Sequence, residues 1–114
     1  MPFHPSIMSI LPPDALQQIS VWHNDDQMDP LVRYEKVCQV LLALSPEIQQ
    51  KIMALPPPTV FDGVPECKAK MDAIRNDATL SFREKLAKNK EVIASMPKDL
   101  LMGVRGQMKH TIKM

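Results

Sequence analysis

NDATLSFREKLAKNKEVIASMP, residues 76–97, reads as a capped amphipathic helix set between two turns. Ser81 and Glu84 stand at the spacing of a capping box, in which each satisfies the other's orphan backbone donor. Beyond them Phe82, Leu86, Ile93 and Met96 fall on one helical face, and Lys85, Lys88, Lys90 and Glu91 fall on the face left for water. The same stretch has a faint copy upstream. A gapless offset of 52 residues sets Pro13 on Pro65, Asn24 on Asn76, Asp25 on Asp77, Lys36 on Lys88 and Val40 on Val92. Similar residues fill the spaces, among them Ile19 on Met71, Met28 on Leu80, Arg33 on Lys85 and Ile52 on Val104. Apolar positions keep register throughout, which is the mark of a repeated helical unit.

Working outward from this helix, the punctuation comes from proline. Residues 1–13 are Pro-rich and aperiodic, predicting an extended arm from which Ile7, Met8 and Ile10 tuck against the domain. A first helix begins after Pro12-Pro13, with Asp14 favourably placed in its first turn and Ala15, Ile19 and Trp22 spaced i, i+4, i+7. The run from His23 to Asp26 ends it, because Asn and Asp accommodate turn geometry. Asp29-Pro30 opens a second helix as N-cap and first residue, with Tyr34, Val37, Cys38, Leu41 and Leu44 inward. Ser45-Pro46 opens a third, running to about Leu55. Pro56-Pro57-Pro58 then forbids helix, and residues 56–64 form a stiff connector whose Val60 and Phe61 are placed to plug into the core. The second copy opens at Pro65, with Cys67, Met71 and Ile74 matching Ala15, Ile19 and Trp22. A last helix after Pro97 carries Leu100, Leu101 and Val104. Gly103 and Gly106 each cost it about 1 kcal/mol against Ala, so it frays toward His110. No hairpin signal or strand alternation appears. The predicted fold is all-α: a small helical bundle of two tandem, divergent three-helix units, residues 14–55 and 65–110.

Composition narrows the function classes. The chain has 114 residues, a formal net charge of +1, 4% aromatics and nine Met, so aliphatic side chains and Met must build the core. Charge is unevenly spread. Residues 1–50 set Arg33 and Lys36 against six carboxylates, while residues 83–114 set eight Lys/Arg against Glu84, Glu91 and Asp99. The Lys85–Lys90 face has no interleaved aromatics to stack bases, which argues against nucleic acid. No apolar run nears the roughly 18 residues that a membrane-spanning helix needs, and Met1–Leu11 does not read as a signal peptide. His4, His23 and His110 are scattered, Cys38 and Cys67 are 29 residues apart, and three Gly are too few for a phosphate loop. Nothing here points to an enzyme.

The polar clusters with most chemical content are the turns at residues 24–29 and 76–81. Asn24, Asp25, Asp26 and Asp29 offer hard oxygen donors of the kind that Ca²⁺ or Mg²⁺ takes. Their ordinary reading is as helix stops and caps; the first turn lacks both the Gly and the Glu of an EF-hand loop.

Asp72-Ala-Ile-Arg-Asn-Asp-Ala-Thr-Leu-Ser81, with Arg83-Glu-Lys85 and Ile93-Ala-Ser-Met-Pro97, resembles the SXP/RAL-type helical proteins of nematodes. Leu55-Pro-Pro-Pro58 followed by Phe61 resembles the joints of related nematode repeat proteins. The likeness is best over residues 64–104 and weaker over 11–52. It implies a secreted, often antigenic helical protein with no enzymatic role and with suspected divalent-metal binding. It also implies an oxidising compartment, in which Cys38 and Cys67 are candidates to pair and staple the two units across the connector. The favoured function is non-enzymatic binding of a protein partner or apolar ligand through a Met/Leu-rich surface. The alternative is Ca²⁺ or Mg²⁺ binding at Asn24–Asp29.

Overall fold

Four prolines, Pro13, Pro30, Pro46 and Pro65, each occupy the first position of an α-helix, where their missing N–H and fixed φ cost nothing. They open α1 (Pro13–His23), α2 (Pro30–Leu42), α3 (Pro46–Met53) and α4 (Pro65–Arg75); α5 (Phe82–Ala94) opens instead behind Ser81. This computed structural model describes residues 5–56 and 63–97. Among them there is no strand, and the protein is an all-α bundle. The caps fall where the side-chain grammar put them. Asp29 accepts from the Leu31 amide at 3.4 Å, Ser45 from Ile48 at 3.3 Å, and Ser81 and Glu84 exchange bonds of 3.1 Å in a complete capping box. Val60, Phe61 and the helix expected after Pro97 lie outside the described residues.

Each of the first four helices is closed at its C-terminal end by a side chain from the next one. The Arg33 guanidinium of α2 donates to the carbonyls of Trp22, Asp25 and Met28 at 2.8, 2.5 and 3.0 Å. Gln49 of α3 donates to Leu41, Leu42 and Leu44 at the end of α2. Arg75 of α4 donates to the Leu55 carbonyl just past α3, and Lys85 of α5 donates to the Arg75 carbonyl at 2.8 Å. A helix end leaves up to four carbonyls without a partner and carries partial negative charge, so three of these four devices being cationic follows from electrostatics.

α1 packs on α2, α2 on α5, and α4 on α5, with α3 also touching α5. One core spans both halves of the chain: Ile19, Val37 and Leu41 from the first lie in a single cluster with Phe82, Leu86 and Ile93 from the second. Phe82, Leu86, Ile93 and Met96 are buried, as their spacing requires. α1 and α4 have bounds 52 residues apart, as do α2 and α5. The α2–α5 seam runs through a pair of counterparts at that offset: the Tyr34 hydroxyl donates to the Leu86 carbonyl at 3.0 Å, with 52 residues between them.

Three expectations are corrected. The N-terminal arm is not extended throughout. Residues Pro5–Ser9 form a 3-10 turn, and Ile7 and Leu11 are buried in the core, the Leu11 amide closing on the Ile7 carbonyl at 3.1 Å in a helical turn that sets the two side chains on one face. Lys85 does not face water; it is half-buried with its ammonium on the end of α4. In α4, Cys67, Met71 and Ile74 are only half-buried, and no residue of this helix is fully buried. Its stripe is the narrow contact of an outer helix packed on α5.

Candidate functional site

The turn joining α1 to α2 is built from its ends inward. Asn24 is the C-cap of α1, its amide bonded to the Ser20 carbonyl. Asp25 accepts from the Gln27 amide at 3.0 Å in an Asx-type turn, and the Met28 amide closes on the Asp25 carbonyl. Asp29 caps α2. The carbonyls of Trp22, Asp25 and Met28 converge on one point, and Arg33, only 3% exposed, fills it. The cation of this turn is therefore supplied by the chain itself. Its fixed positive charge opposes a divalent ion at the same oxygens. Among the described residues no three His, Cys, Asp or Glu side chains are grouped to hold a metal.

The turn at residues 76–81 repeats the backbone plan with weaker chemistry. Asn76 caps α4, the Leu80 amide bonds the Asp77 carbonyl, and Asp77 accepts from the Thr79 hydroxyl at 2.5 Å and amide at 2.9 Å. These bonds hold the Asp77 carboxyl below its ordinary range. The Ser81 amide, followed by its hydroxyl, does the same for Glu84. Lys85 stands where Arg33 stands in the first turn, but reaches one carbonyl rather than three.

Cys38 and Cys67 are both free thiols, so the expected bridge is absent. The reason is local: Cys38 faces the α2–α5 seam in hydrogen-bonding contact with the Tyr34 hydroxyl one turn away, while Cys67 is half-buried in the first turn of α4. Above the seam Lys90 and Glu35 pair at 2.9 Å. Burial pushes the Cys38 thiol up to about 11; the Tyr34 hydrogen bond and Lys90 oppose the shift, and Glu35 adds to it. Burial also raises the Tyr34 phenol, with Cys38 adding and the Asn89 hydrogen bond opposing. A protonated-state preference in the fold means stability that is whole below the unfolded thiol's value and is lost as pH rises through the folded one. Between about pH 9 and 11 the protein is expected to lose on the order of 2 kcal/mol from Cys38, with Tyr34 adding to the loss above about pH 10. Urea midpoints measured from pH 7 to 11 check this. Cys38→Ala flattens the first part of the decline, and a midpoint unchanged to pH 10.5 would refute it.

The outer face of the α1–α2 hairpin was missed by sequence reasoning. Val21 is 64% exposed and Val32 43% exposed, the two large apolar side chains most open to water among the described residues. Half-buried Trp22, the chain's sole tryptophan, follows Val21 and packs against the core, with the Lys36 ammonium 5.6 Å from its ring centroid. The described methionines are half-buried, apart from buried Met96, and the leucines are at least half-buried, so the Met/Leu surface is mostly the rim of the core. One-sided helical wheels conceal such a face, since single exposed valines carry no periodic signal.

The fold and these features define a small all-α bundle of helical hairpins with two exposed valines on the first of them. No family model matches the chain, no curated protein matches it, and no solved structure matches it. Among the described residues no helix is long and apolar enough to cross a membrane.

Proposed function

We propose that this chain is a non-enzymatic, secreted binding protein of SXP/RAL type that engages a partner protein or apolar ligand through the outer face of the α1–α2 hairpin. The observation that carries the reading is the exposure of Val21 and Val32, the large apolar side chains most open to water among the described residues. Two large β-branched side chains left open to water gain nothing for the monomer, and exposed apolar side chains of this kind are what an interaction surface uses. The resemblance over residues 64–104 supports the family, the export and the absence of catalysis. Shared helix bounds at the 52-residue offset support two copies of one unit.

Nile red, a neutral dye that fluoresces on apolar surfaces, tests the binding face. The native protein is expected to give a saturable, blue-shifted signal that Val32→Glu reduces severalfold while the helical circular dichroism stays unchanged. A folded protein with no dye signal, or one that Val32→Glu leaves untouched, removes this face from the function.

A further inference from the structure

The α1–α2 and α4–α5 hairpins close on the same backbone turn, and different groups hold the two closed. In the first, Asp25 accepts from the Gln27 amide, Asp29 accepts from the Leu31 amide, and Arg33 secures the turn by donating to the carbonyls of Trp22, Asp25 and Met28. A guanidinium keeps its charge throughout the acid and neutral range. In the second, Lys85 reaches a single carbonyl, that of Arg75. The rest of that turn is held by two carboxylates. Asp77 accepts from the Thr79 hydroxyl and amide, and Glu84 accepts from the Ser81 amide to complete the capping box. An ionised carboxylate accepts such bonds about twice as strongly as a neutral acceptor does.

α4 depends on its turn more than α1 does. α1 buries Ala15, Ile19 and His23, whereas α4 has no fully buried residue. The turn therefore supplies the alignment that seats α4 on α5. Its other ties, Arg75 on the Leu55 carbonyl and Lys85 on the Arg75 carbonyl, join cations to carbonyls and survive acid. We propose that the 76–81 turn is an acid-sensitive hinge: protonation of Asp77 and Glu84 frees α4 from α5 while the α2–α5 seam stays closed. The charges acting on Asp77 are Lys85 and Lys88 of α5, and those acting on Glu84 are Lys88 and Asp77. Of the other helices packed on α5, α2 brings Glu35, paired with Lys90, and α3 brings Glu47, paired with Lys51. Both hinge carboxyls are held below their ordinary range, so their hold is whole above that range and is lost as pH falls through the folded values. The seam behaves differently. Tyr34, Cys38, Asn89 and the Leu86 carbonyl bond one another without a titrating carboxylate, and the Glu35–Lys90 pair at the rim is screened by water.

The two free thiols report on the two events separately. Cys67 rides on α4 and Cys38 is buried in the seam, so 4,4′-dithiodipyridine, which reacts with thiols even in acid, labels Cys67 when α4 lifts and Cys38 only when the seam opens. In the full chain, Cys67 labelling, divided by that of glutathione at the same pH, is expected to rise about tenfold or more between about pH 7 and pH 3, with Cys38 protected. Acid also charges histidines, so the deciding comparison is made at about pH 7. There Asp77→Asn with Glu84→Gln, which imitates the protonated hinge, is expected to label quickly at Cys67 and not at Cys38. Asp25→Asn with Asp29→Asn, the same change in the first turn, is expected to leave Cys67 labelling as in the parent. Thr79→Ala removes one exposed hydroxyl and with it a bond that holds the Asp77 carboxyl down, so the acid midpoint of Cys67 labelling moves to higher pH. That variant decides the matter if the Asp77/Glu84 double variant loses its helical circular dichroism. The proposal is overturned if both thiols label together in acid, or if Cys67 labelling stays level down to about pH 3. A folded Asp77/Glu84 variant that labels like the parent, a first-turn variant that labels Cys67 as quickly, or an unmoved midpoint in Thr79→Ala also overturns it.

Discussion

Replacing Arg33 by Ala is expected to destabilise the protein by about 3 kcal/mol, the largest loss of any single polar substitution in the described chain. The side chain is 3% exposed and satisfies three carbonyls at the junction of α1 and α2, at 2.5 to 3.0 Å. Truncation strands those oxygens at a helix end that already carries partial negative charge, and it opens the space that the guanidinium filled. Arg33→Lys should recover only part of the loss, because one ammonium cannot reproduce the forked geometry. Its counterpart supplies the comparison. Lys85 makes one bond, to Arg75, from a half-buried position, so Lys85→Ala is expected to cost about 1 kcal/mol or less. Urea melts of the three variants check the order. Equal losses at Arg33 and Lys85, or a loss below about 1 kcal/mol at Arg33, would show that water replaces the guanidinium and that the turn holds itself.

Phe82→Ala should cost about 3–5 kcal/mol by the same measurement. Phe82 opens α5 and lies in the core cluster that joins both halves of the chain, 9% exposed. α5 is the helix that α2, α3 and α4 all touch, so a cavity there loosens three interfaces at once and little can collapse to fill it. The capping box at Ser81 and Glu84 holds the backbone of the first turn in place, which further limits relaxation. A loss below about 1 kcal/mol would place the ring outside the core.

The two substitutions rest on different kinds of legibility. Phe82 was readable because burial follows helical period: Phe82, Leu86 and Ile93 repeat on one face, and the Ser81 and Glu84 pair sets where the face begins. Arg33 was not readable. A guanidinium within the first turn of a helix resembles any solvated charge, and Lys85 was assigned to water on the same ground. Both bond to carbonyls five to eleven residues away, across a turn whose closure no local pattern encodes. Gln49, reaching back five to eight residues, and Arg75, reaching back twenty, were hidden for the same reason.

The turn at Asn24–Asp29 separates composition from chemistry. Oxygen-rich residues in a row are legible as a cap, as a stop or as a cation site, and the sequence does not choose among them. The tertiary structure directs Asp25 to the Gln27 amide, Asp29 to the Leu31 amide, and the carbonyls to Arg33. Cysteine behaves likewise. Two Cys and an expected oxidising compartment suggested a bridge, and position decided otherwise: Cys38 lies against Tyr34 in the α2–α5 seam, and Cys67 belongs to the outer helix α4.

The amino-acid sequence alone determined the all-α class, the helix starts at Pro13, Pro30, Pro46 and Pro65, the capping box and the inward face of α5. These follow from dihedral limits, local hydrogen bonds and a 3.6-residue period, all of which act within a few residues. Only the tertiary structure decided that side chains of each next helix close the helix before it, that Tyr34 meets Leu86 across the seam, and that Val21 and Val32 are left facing water. Those outcomes depend on which helix faces which. That choice is made by burying one shared core, in which every apolar side chain competes for the same space, and no single stretch of sequence contains it.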